Sequence, residues 1–299
     1  MPLILGEDPN DISKIWSRLL WAGASVGRSG IAVQATAAID TALWDMKAKR
    51  ARLPLAKLIG AHRDSVPCYN TSGGYLQAPI EEILEKADRS LRQGIGGVKM
   101  KVGQPDTAAD LKRVESLRRH LGDAVPIMVD ANQQWDRTAA LRFGRWVEAL
   151  NLAWIEEPLD GHDAEGHAAL AAALDTPIAT GEMLSCADEH RGLIARGSAD
   201  IIQPDVLRIG GVTPFLRVAD MADQAGLGMA PHFVMEVHIH LAACYAREPW
   251  VEHFEWLQPL FNERTKIEDG RMAVPDRPGL GLSPSAHMRQ WTKEAICIE

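Results

Sequence analysis

Cysteine is scarce in this chain, with four among 299 residues, and no two of them form a CxxC pair. Cysteines this far apart argue against a disulfide framework and against a zinc site built from cysteine pairs. We therefore expect reduced thiols in a cytoplasmic protein, at Cys68, Cys186, Cys244 and Cys297.

Long apolar runs are also missing, since none approaches the roughly 18 residues that a membrane span requires. The start of the chain has no basic segment followed by an apolar one, so a signal peptide is not expected. Negative charge outweighs positive charge, giving a net charge of -8. This balance disfavours nucleic acid and anionic membrane as partners, but it leaves open a small anionic substrate at a locally positive site.

Apolar residues, in contrast, make up 46% of the chain and follow a repeating pattern. Short apolar stretches alternate with longer helical stretches, an order that indicates parallel strands with helices packed outside them. Eight such units suggest closure into a barrel, for which about 250 residues suffice. The expected strands span residues 65–73, 96–103, 126–132, 153–159, 177–182, 200–206, 227–232 and 251–256.

Two parts of the chain fall outside this repeat. Residues 9–26 and 31–60 carry apolar residues at helical spacing and are expected to form two helices. Residues 258–285 contain DGR and PDRPGLG, which indicate a hairpin and a loop in a different layer of the fold.

Three acidic residues end successive apolar stretches at an equal spacing of 26 residues: Asp130, Glu156 and Glu182. Any one of them alone is typical of a solvated loop. One strand–helix unit of a barrel has about this length, so the three carboxylates are expected at the same rim. Converging carboxylates repel one another unless a cation lies between them, and hard oxygen ligands favour Mg2+.

Lys99 and Lys101 are two residues apart on the second expected strand, so their side chains should point to the same face. The valine and methionine around them favour a buried strand over an exposed edge with two solvated lysines. Two ammonium groups inside a barrel would lower each other's pKa, which favours a neutral lysine able to accept a proton.

Asp205 lies on the sixth expected strand and His232 on the seventh. A hydrogen bond between them would fix the tautomer of the imidazole and raise its basicity. Glu252 opens the eighth strand and should face the same cavity, with an exposed strand acid as the alternative. His238 and His240 form an HxH pair, but these positions do not share a helix face, which disfavours a zinc site.

A lysine on one side, an aspartate–histidine pair opposite and a metal between them suit the removal of a proton next to a carboxylate. The metal would stabilise the negative charge that develops on the carboxylate oxygens. Two bases on opposite faces would allow either configuration at the carbon. One of them could also protonate a departing hydroxide after the other has removed the proton.

The order of KMK, DAN, EEP, GE, QPD, PH and VEH, from about residue 31 onward, resembles the mandelate racemase subgroup of the enolase superfamily. GASVGRSG, YNTSGG, DANQQWD, PHFVMEVHIH and EPWVEHFEWLQPLFNE most resemble its acid-sugar dehydratases. The resemblance implies an α/β fold, a modified TIM barrel of the (β/α)7β type with a partial α+β capping domain. Residues 1–60 would be the helical part of the cap, 61–257 the barrel, and 258–299 the return to the cap.

The resemblance also implies roles for the residues singled out above. Lys101 would be the base on one face, and the Asp205–His232 pair the catalyst on the other. The Mg2+ ligands would be Asp130, Glu156 and Glu182.

Three further side chains would bind the substrate by the same resemblance. Lys99 would lie beside the substrate carboxylate and lower the pKa of Lys101. Glu252 would hydrogen-bond a carboxylate oxygen, and Asn132 would touch the substrate or metal-bound groups.

The implied activity is Mg2+-dependent dehydration of a six-carbon diacid such as galactarate or L-talarate to a 2-keto-3-deoxy product, with epimerisation as a second outcome. A homo-oligomer is implied as well. Members of the subgroup begin with cap strands and a mobile loop that this sequence is expected to lack. The alternative is therefore a non-catalytic, lidless metal-binding barrel or assembly subunit, and, among enzymes, a racemase or a dehydratase of another acid sugar.

Overall fold

The computed structural model describes residues 3–71 and 74–293, and within them eight short strands form a parallel barrel. Each strand lies inside its expected range and is shorter than that range because its last residues bend into the loops of the rim. The barrel strands are β1 (Ser65–Asn70), β2 (Gly97–Lys101), β3 (Ile127–Asp130), β4 (Trp154–Glu156), β5 (Ile178–Thr180), β6 (Ile201–Ile202), β7 (Gly228–Met229) and β8 (Val251–His253).

The sheet closes on itself between its first and last strands. Strands β1 to β7 pair in sequence order, each parallel to its neighbour. β8 pairs in parallel with β1, with Tyr69 opposite Glu252. On its other side, Trp250 N–H donates to the carbonyl of Met229 on β7 at 2.9 Å. The barrel expected from the sequence is thereby confirmed.

Seven of the helices follow β1 to β7 and cover the outside of the barrel, whereas β8 leads into a hairpin. Local N-caps explain where several helices begin: the carboxylates of Asp106, Asp136 and Asp163 each accept a hydrogen bond from a first-turn N–H. The helices are α1 (Ile12–Ala22), α2 (Gly30–Ala51), α3 (Leu55–Ile59), α4 (Ile80–Arg92), α5 (Thr107–Leu121), α6 (Arg137–Val147), α7 (Ala164–Ala173), α8 (Ala187–Ala195), α9 (Val212–Gln224), α10 (Met235–Ala243) and α11 (Ala286–Trp291).

The single helix expected over residues 31–60 is wrong, because the chain breaks between α2 and α3. Arg52 adopts a left-handed conformation with φ 58°. Pro54 then precedes α3 in an extended conformation, and proline both lacks an N–H and restrains the residue before it. The sequence carried this signal in its RLPL segment.

The hairpin expected within residues 258–285 is present. Its strands are β9 (Ile267–Glu268) and β10 (Arg271–Ala273), joined through Asp269 and Gly270, which both have positive φ. β10 runs antiparallel to the first half of β1, with Ser65 opposite Ala273. The hairpin therefore extends the sheet at the end of the barrel that faces away from the rim.

The inside of the barrel is filled by large apolar side chains below the rim. The rings of Tyr69 and Trp154 meet edge to face with centroids 5.1 Å apart. Met128, Ala179 and Ala230 complete this buried layer. The polar side chains at the carboxyl ends of the strands lie directly above this apolar layer.

Two expectations concern the lack of long apolar runs and the small number of cysteines. No helix in the described ranges is both long and apolar enough to cross a membrane. Cys68, Cys186 and Cys244 are free thiols. Cys297 lies outside the described residues.

Candidate active site

The polar side chains singled out in the sequence meet at the carboxyl ends of the barrel strands. Register places Lys101 of β2 beside Asp130 of β3, and Asp130 beside Glu156 of β4. Paired residues on neighbouring parallel strands point to the same face at the same height. The strand pairing thus sets a lysine and two carboxylates in one row, and Glu182, just beyond β5, continues it.

Lys101 lies at one end of this row and contacts Asp130. Its ammonium group binds one carboxylate oxygen of Asp130, and the backbone N–H of Asn132 donates to the other at 2.8 Å. Asp130 is fully buried, and burial together with the charge of Glu156 raises its pKa. The side chain of Asn132 is exposed at the rim, and its backbone is left-handed with φ 42°.

Lys99 lies deeper, with 1% of its surface exposed, and is surrounded by acids. Its Nζ is 2.5 Å from Oε1 of Glu156 and 2.7 Å from Oε1 of Glu252. Burial disfavours its ammonium form, but these two carboxylates outweigh burial and hold the pKa of Lys99 well above its usual value. The lowered pKa expected for this lysine is wrong, since carboxylates and not another ammonium dominate its surroundings.

Glu252 reaches the same cluster from β8. Its carboxylate also accepts hydrogen bonds from Thr71 Oγ1 at 2.6 Å and from the backbone N–H of Phe233 at 2.9 Å. Burial would raise its pKa, but the charges of Lys99 and His232 prevail and lower it to about 2. Glu252 lies in the cavity as expected and is an anion in this arrangement, so a hydrogen bond from it to a substrate carboxylate would require it to take up a proton.

Asp205 and His232 face this cluster from the opposite side. His232 Nδ1 lies 2.9 Å from Oδ2 of Asp205, so the expected hydrogen bond is present. The other oxygen of Asp205 accepts the N–H of Leu207 at 2.7 Å. His232 Nε2 then points toward Oε1 of Glu182, 3.5 Å away. Burial lowers the pKa of His232, but Asp205 and the nearby carboxylates outweigh burial and raise it to about 9.

Four carboxylates lie close together in the middle of the site: Asp130, Glu156, Glu157 and Glu182. Glu157 follows Glu156 with a left-handed backbone, φ 37°, and its Oε1 is buried without a hydrogen-bond partner. Burial and the charges of Glu182 and Asp130 raise its pKa to about 9. This much negative charge in a buried space is unfavourable unless positive charge compensates it.

The expected metal ligands are paired with protein donors in the described structure. Across residues 3–71 and 74–293, no three His, Cys, Asp or Glu side chains converge on one point as a bound metal ion requires. Lys99 and Lys101 reach between the carboxylates of β3 and β4. Lys99 and Lys101 therefore supply positive charge beside Asp130 and Glu156 in this arrangement.

His238 and His240, the HxH pair, lie on α10 and point to different surroundings. His238 Nε2 accepts the N–H of Val206 at 3.0 Å, whereas His240 Nδ1 accepts the N–H of Ala56 at 3.3 Å. Burial lowers the pKa of both imidazoles to about 4. Each is a neutral hydrogen-bonding group in the core, as the helical spacing of the pair suggested.

Comparison with known proteins agrees with this geometry. The profile described as "Enolase C-terminal domain-like" matches residues 82–288, and the one described as "Mandelate racemase / muconate lactonizing enzyme, N-terminal domain" matches residues 1–60. The chain belongs to the enolase superfamily. The match to the mandelate racemase / muconate lactonizing enzyme profile agrees with the subgroup that the sequence motifs indicated.

Several members of the superfamily are similar over most of the chain. L-talarate/galactarate dehydratase of Salmonella typhimurium is 62% identical over 290 residues, 97% of this chain and 73% of the relative. The 3,6-anhydro-alpha-L-galactonate cycloisomerase of Streptomyces coelicolor is 39% identical over 93% of this chain and 77% of its own length. A crystal structure of L-talarate dehydratase from Polaromonas sp. JS666, complexed with Mg and L-glucarate, is 63% identical with a TM-score of 0.96, covering 98% of this chain and 82% of that one.

The structure of this enolase-superfamily member adds site residues that the sequence reasoning missed. Glu156 Oε2 accepts hydrogen bonds from Trp154 Nε1 at 3.0 Å and Gln203 Nε2 at 2.8 Å. Strand alternation could have found Gln203, which precedes Asp205 by two residues. No comparable signal marked Arg208, whose guanidinium donates to the carbonyl of Glu182 at 2.9 Å.

Proposed function

We propose that this chain is an Mg2+-dependent acid-sugar dehydratase that acts on a six-carbon diacid such as galactarate or L-talarate. Support comes from its 62% identity to a dehydratase of that name and from its likeness to a structure that holds Mg and L-glucarate. The product would be a 2-keto-3-deoxy diacid, formed by loss of water across C2 and C3. Epimerisation at C2 is the second outcome that the same site supports.

The observation that carries this proposal is the placement of two proton-transfer groups at opposite ends of one carboxylate row. Lys101 contacts Asp130 at one end, and His232 lies 3.5 Å from Glu182 at the other. A carbon held over the middle of the row would have one group on each face. Such an arrangement serves the removal of a proton next to a carboxylate, whichever configuration that carbon has.

The donor set of the row fits Mg2+ in charge and in chemistry. Asp130, Glu156 and Glu182 would hold the ion, since all three offer carboxylate oxygens at one rim. Burial, together with the charge of Glu156, raises the pKa of Asp130, so a cation beside it would favour its anionic form. When bound, Mg2+ would supply positive charge beside the substrate carboxylate and so make the neighbouring C–H more acidic.

The residues of the site would have the following roles. Lys101 or His232 removes the C2 proton, depending on which face carries it. Asp205 holds the imidazole of His232 in one orientation, so that Nε2 can take up a proton or release one to the departing hydroxide. Lys99 anchors the substrate carboxylate end, Glu252 hydrogen-bonds a carboxylate oxygen there once it has taken up a proton, and exposed Asn132 contacts the rest of the substrate at the rim.

The test is dehydration by variants of the two proton-transfer groups. We expect Lys101→Met and His232→Asn each to lower the rate of α-keto acid release by about 100-fold or more, because each loses a general acid or base. Mg2+ binding, measured by calorimetry, should persist in both. Matched controls are Lys86→Met on α4 and His120→Asn on α5, whose side chains contact Glu82 and Asp88 on the helices outside the barrel.

Dehydration retained in both site variants would overturn the proposed function. Mg2+ binding by the wild-type chain without turnover of any acid sugar would favour the non-catalytic barrel instead.

A further inference from the structure

We infer that His238 is a positioning residue for the Asp205–His232 pair, one that holds together the two loops carrying them. This inference rests on the proposed function, because it assigns His238 to one face of that site. His238 itself reaches no substrate, since it is fully buried on α10.

The hydrogen bonds of His238 close a ring around the pair. Nε2 accepts the N–H of Val206, the residue after Asp205, at 3.0 Å. Nδ1 lies 2.7 Å from the carbonyl oxygen of Phe233, the residue after His232. The side chains of Asp205 and His232 join the same two loops above, at 2.9 Å. His238 therefore links the two loops through their backbones, whereas Asp205 and His232 link the same loops through their side chains.

The chemistry of these partners fixes the state of the imidazole. Val206 offers only an N–H, so Nε2 must be unprotonated, and Phe233 offers only a carbonyl, so Nδ1 must carry the proton. Burial keeps the pKa of His238 near 4, which leaves it neutral at working pH. Its ring also packs on Phe215, with centroids 5.6 Å apart, so it has one orientation.

The loop after His232 needs such a restraint. Phe233 and Val234 have φ values of 60° and 30°, a region that bulky and β-branched residues rarely adopt. Phe233 is held on both sides, by Glu252 at its N–H and by His238 at its carbonyl. Removal of the second contact would let this loop relax and shift His232 relative to Asp205. Lys101 stands on β2 across the site and shares none of these contacts.

The test uses deuterium exchange next to the carboxylate for two epimers, galactarate and L-talarate, in D2O with Mg2+. Lys101→Met and His232→Asn assign which epimer uses which face. His238→Gln keeps an acceptor toward Val206, and His238→Asn keeps a donor toward Phe233. We expect both to lower exchange on the His232 face by roughly 10- to 100-fold and on the Lys101 face by about twofold or less.

His240→Asn is the matched control, because His240 is an equally buried neutral histidine on the same helix whose partners, Ala56 and Leu280, lie away from the site. It should lower the melting temperature without changing the ratio of the two exchange rates. An equal loss on both faces, or an unchanged ratio in both His238 variants, would overturn the inference while leaving the proposed function intact. If the wild type exchanges neither epimer, both the inference and the proposed function are overturned.

A second readout does not depend on turnover. The 15N–1H spectrum of histidine-labelled protein should show His238, assigned by its loss in His238→Gln, as a neutral imidazole protonated at Nδ1. A proton at Nε2, or an imidazolium, would contradict the ring of hydrogen bonds.

Discussion

At the scale of single residues, protonation in the site depends on which charges lie nearest to each buried group. Lys99 keeps its charge because Glu156 and Glu252 outweigh the effect of burial, and Glu252 keeps its charge because Lys99 and His232 do the same for it. Burial raises the pKa of Glu157, and its acidic neighbours raise it further. The expectation for Lys99 failed because it counted only Lys101, the neighbour along the strand, and not the acids that other strands bring in.

Lys99→Met should destabilise the protein, because it leaves Glu156 and Glu252 buried and unpaired. We expect the free energy of unfolding in EDTA to fall by about 3–5 kcal/mol. Urea denaturation measures this loss. Lys86→Met, which breaks the largely exposed pair with Glu82, should cost no more than about 1 kcal/mol, and an equal cost for both variants would contradict the burial argument.

His232 should make stability depend on pH in metal-free protein. Its pKa of about 9 in the folded chain exceeds the 6.5 of a free imidazole, so the folded state binds the proton more tightly. The resulting stabilisation, up to about 3 kcal/mol, is present in full below pH 6.5 and is lost as pH rises through 9. Melting temperatures in EDTA across this range should fall for the wild type and fall less for His232→Asn; parallel curves would refute the assignment.

At the scale of elements, a helix of the first sixty residues caps a helix of the barrel. Asp40 of α2 accepts hydrogen bonds from the N–H and the hydroxyl of Thr213, in the first turn of α9, at 2.9 and 2.6 Å. Gly211 precedes α9 with φ 110°, and a Cβ there would lie 2.4 Å from the Asp40 carboxylate. The glycine thus admits a cap from another element where a local cap is absent.

Asp40→Ala should therefore cost more than the loss of an ordinary cap. It leaves two buried donors of Thr213 unsatisfied, for which we expect a loss of about 2–4 kcal/mol in the free energy of unfolding. Asp136→Ala removes the local, exposed cap of α6 and should cost about 1 kcal/mol. Chemical denaturation of both variants compares the two, and equal losses would show that the contact between α2 and α9 contributes little.

At the scale of the whole molecule, the barrel and the placement of its acids could be predicted because one periodicity governs both. Alternation fixed the strand order, and equal spacing placed Asp130 and Glu156 side by side. The partners of His238 could not be predicted, since Val206 and Phe233 meet it only through the closed fold. The left-handed backbone at Phe233 and Val234 could not be predicted either, because neither residue is a glycine or an asparagine.

Other whole-molecule expectations remain predictions. The division into a cap remainder at 1–60, a barrel at 61–257 and a return at 258–299 is one of them, although Leu280 N–H does donate to Asp45 of α2 at 2.8 Å. The homo-oligomer is another. The surface near the start of α2 exposes three large apolar side chains, those of Trp21, Val26 and Ile31.

Proton NMR of the wild-type chain with Mg2+ in D2O, with galactarate and L-talarate as substrates, tests the central claim most directly. We expect loss of the C2 proton signal and accumulation of a 2-keto-3-deoxy diacid from at least one of them. Unchanged spectra of both diacids, with a protein that calorimetry shows to bind Mg2+, would contradict it.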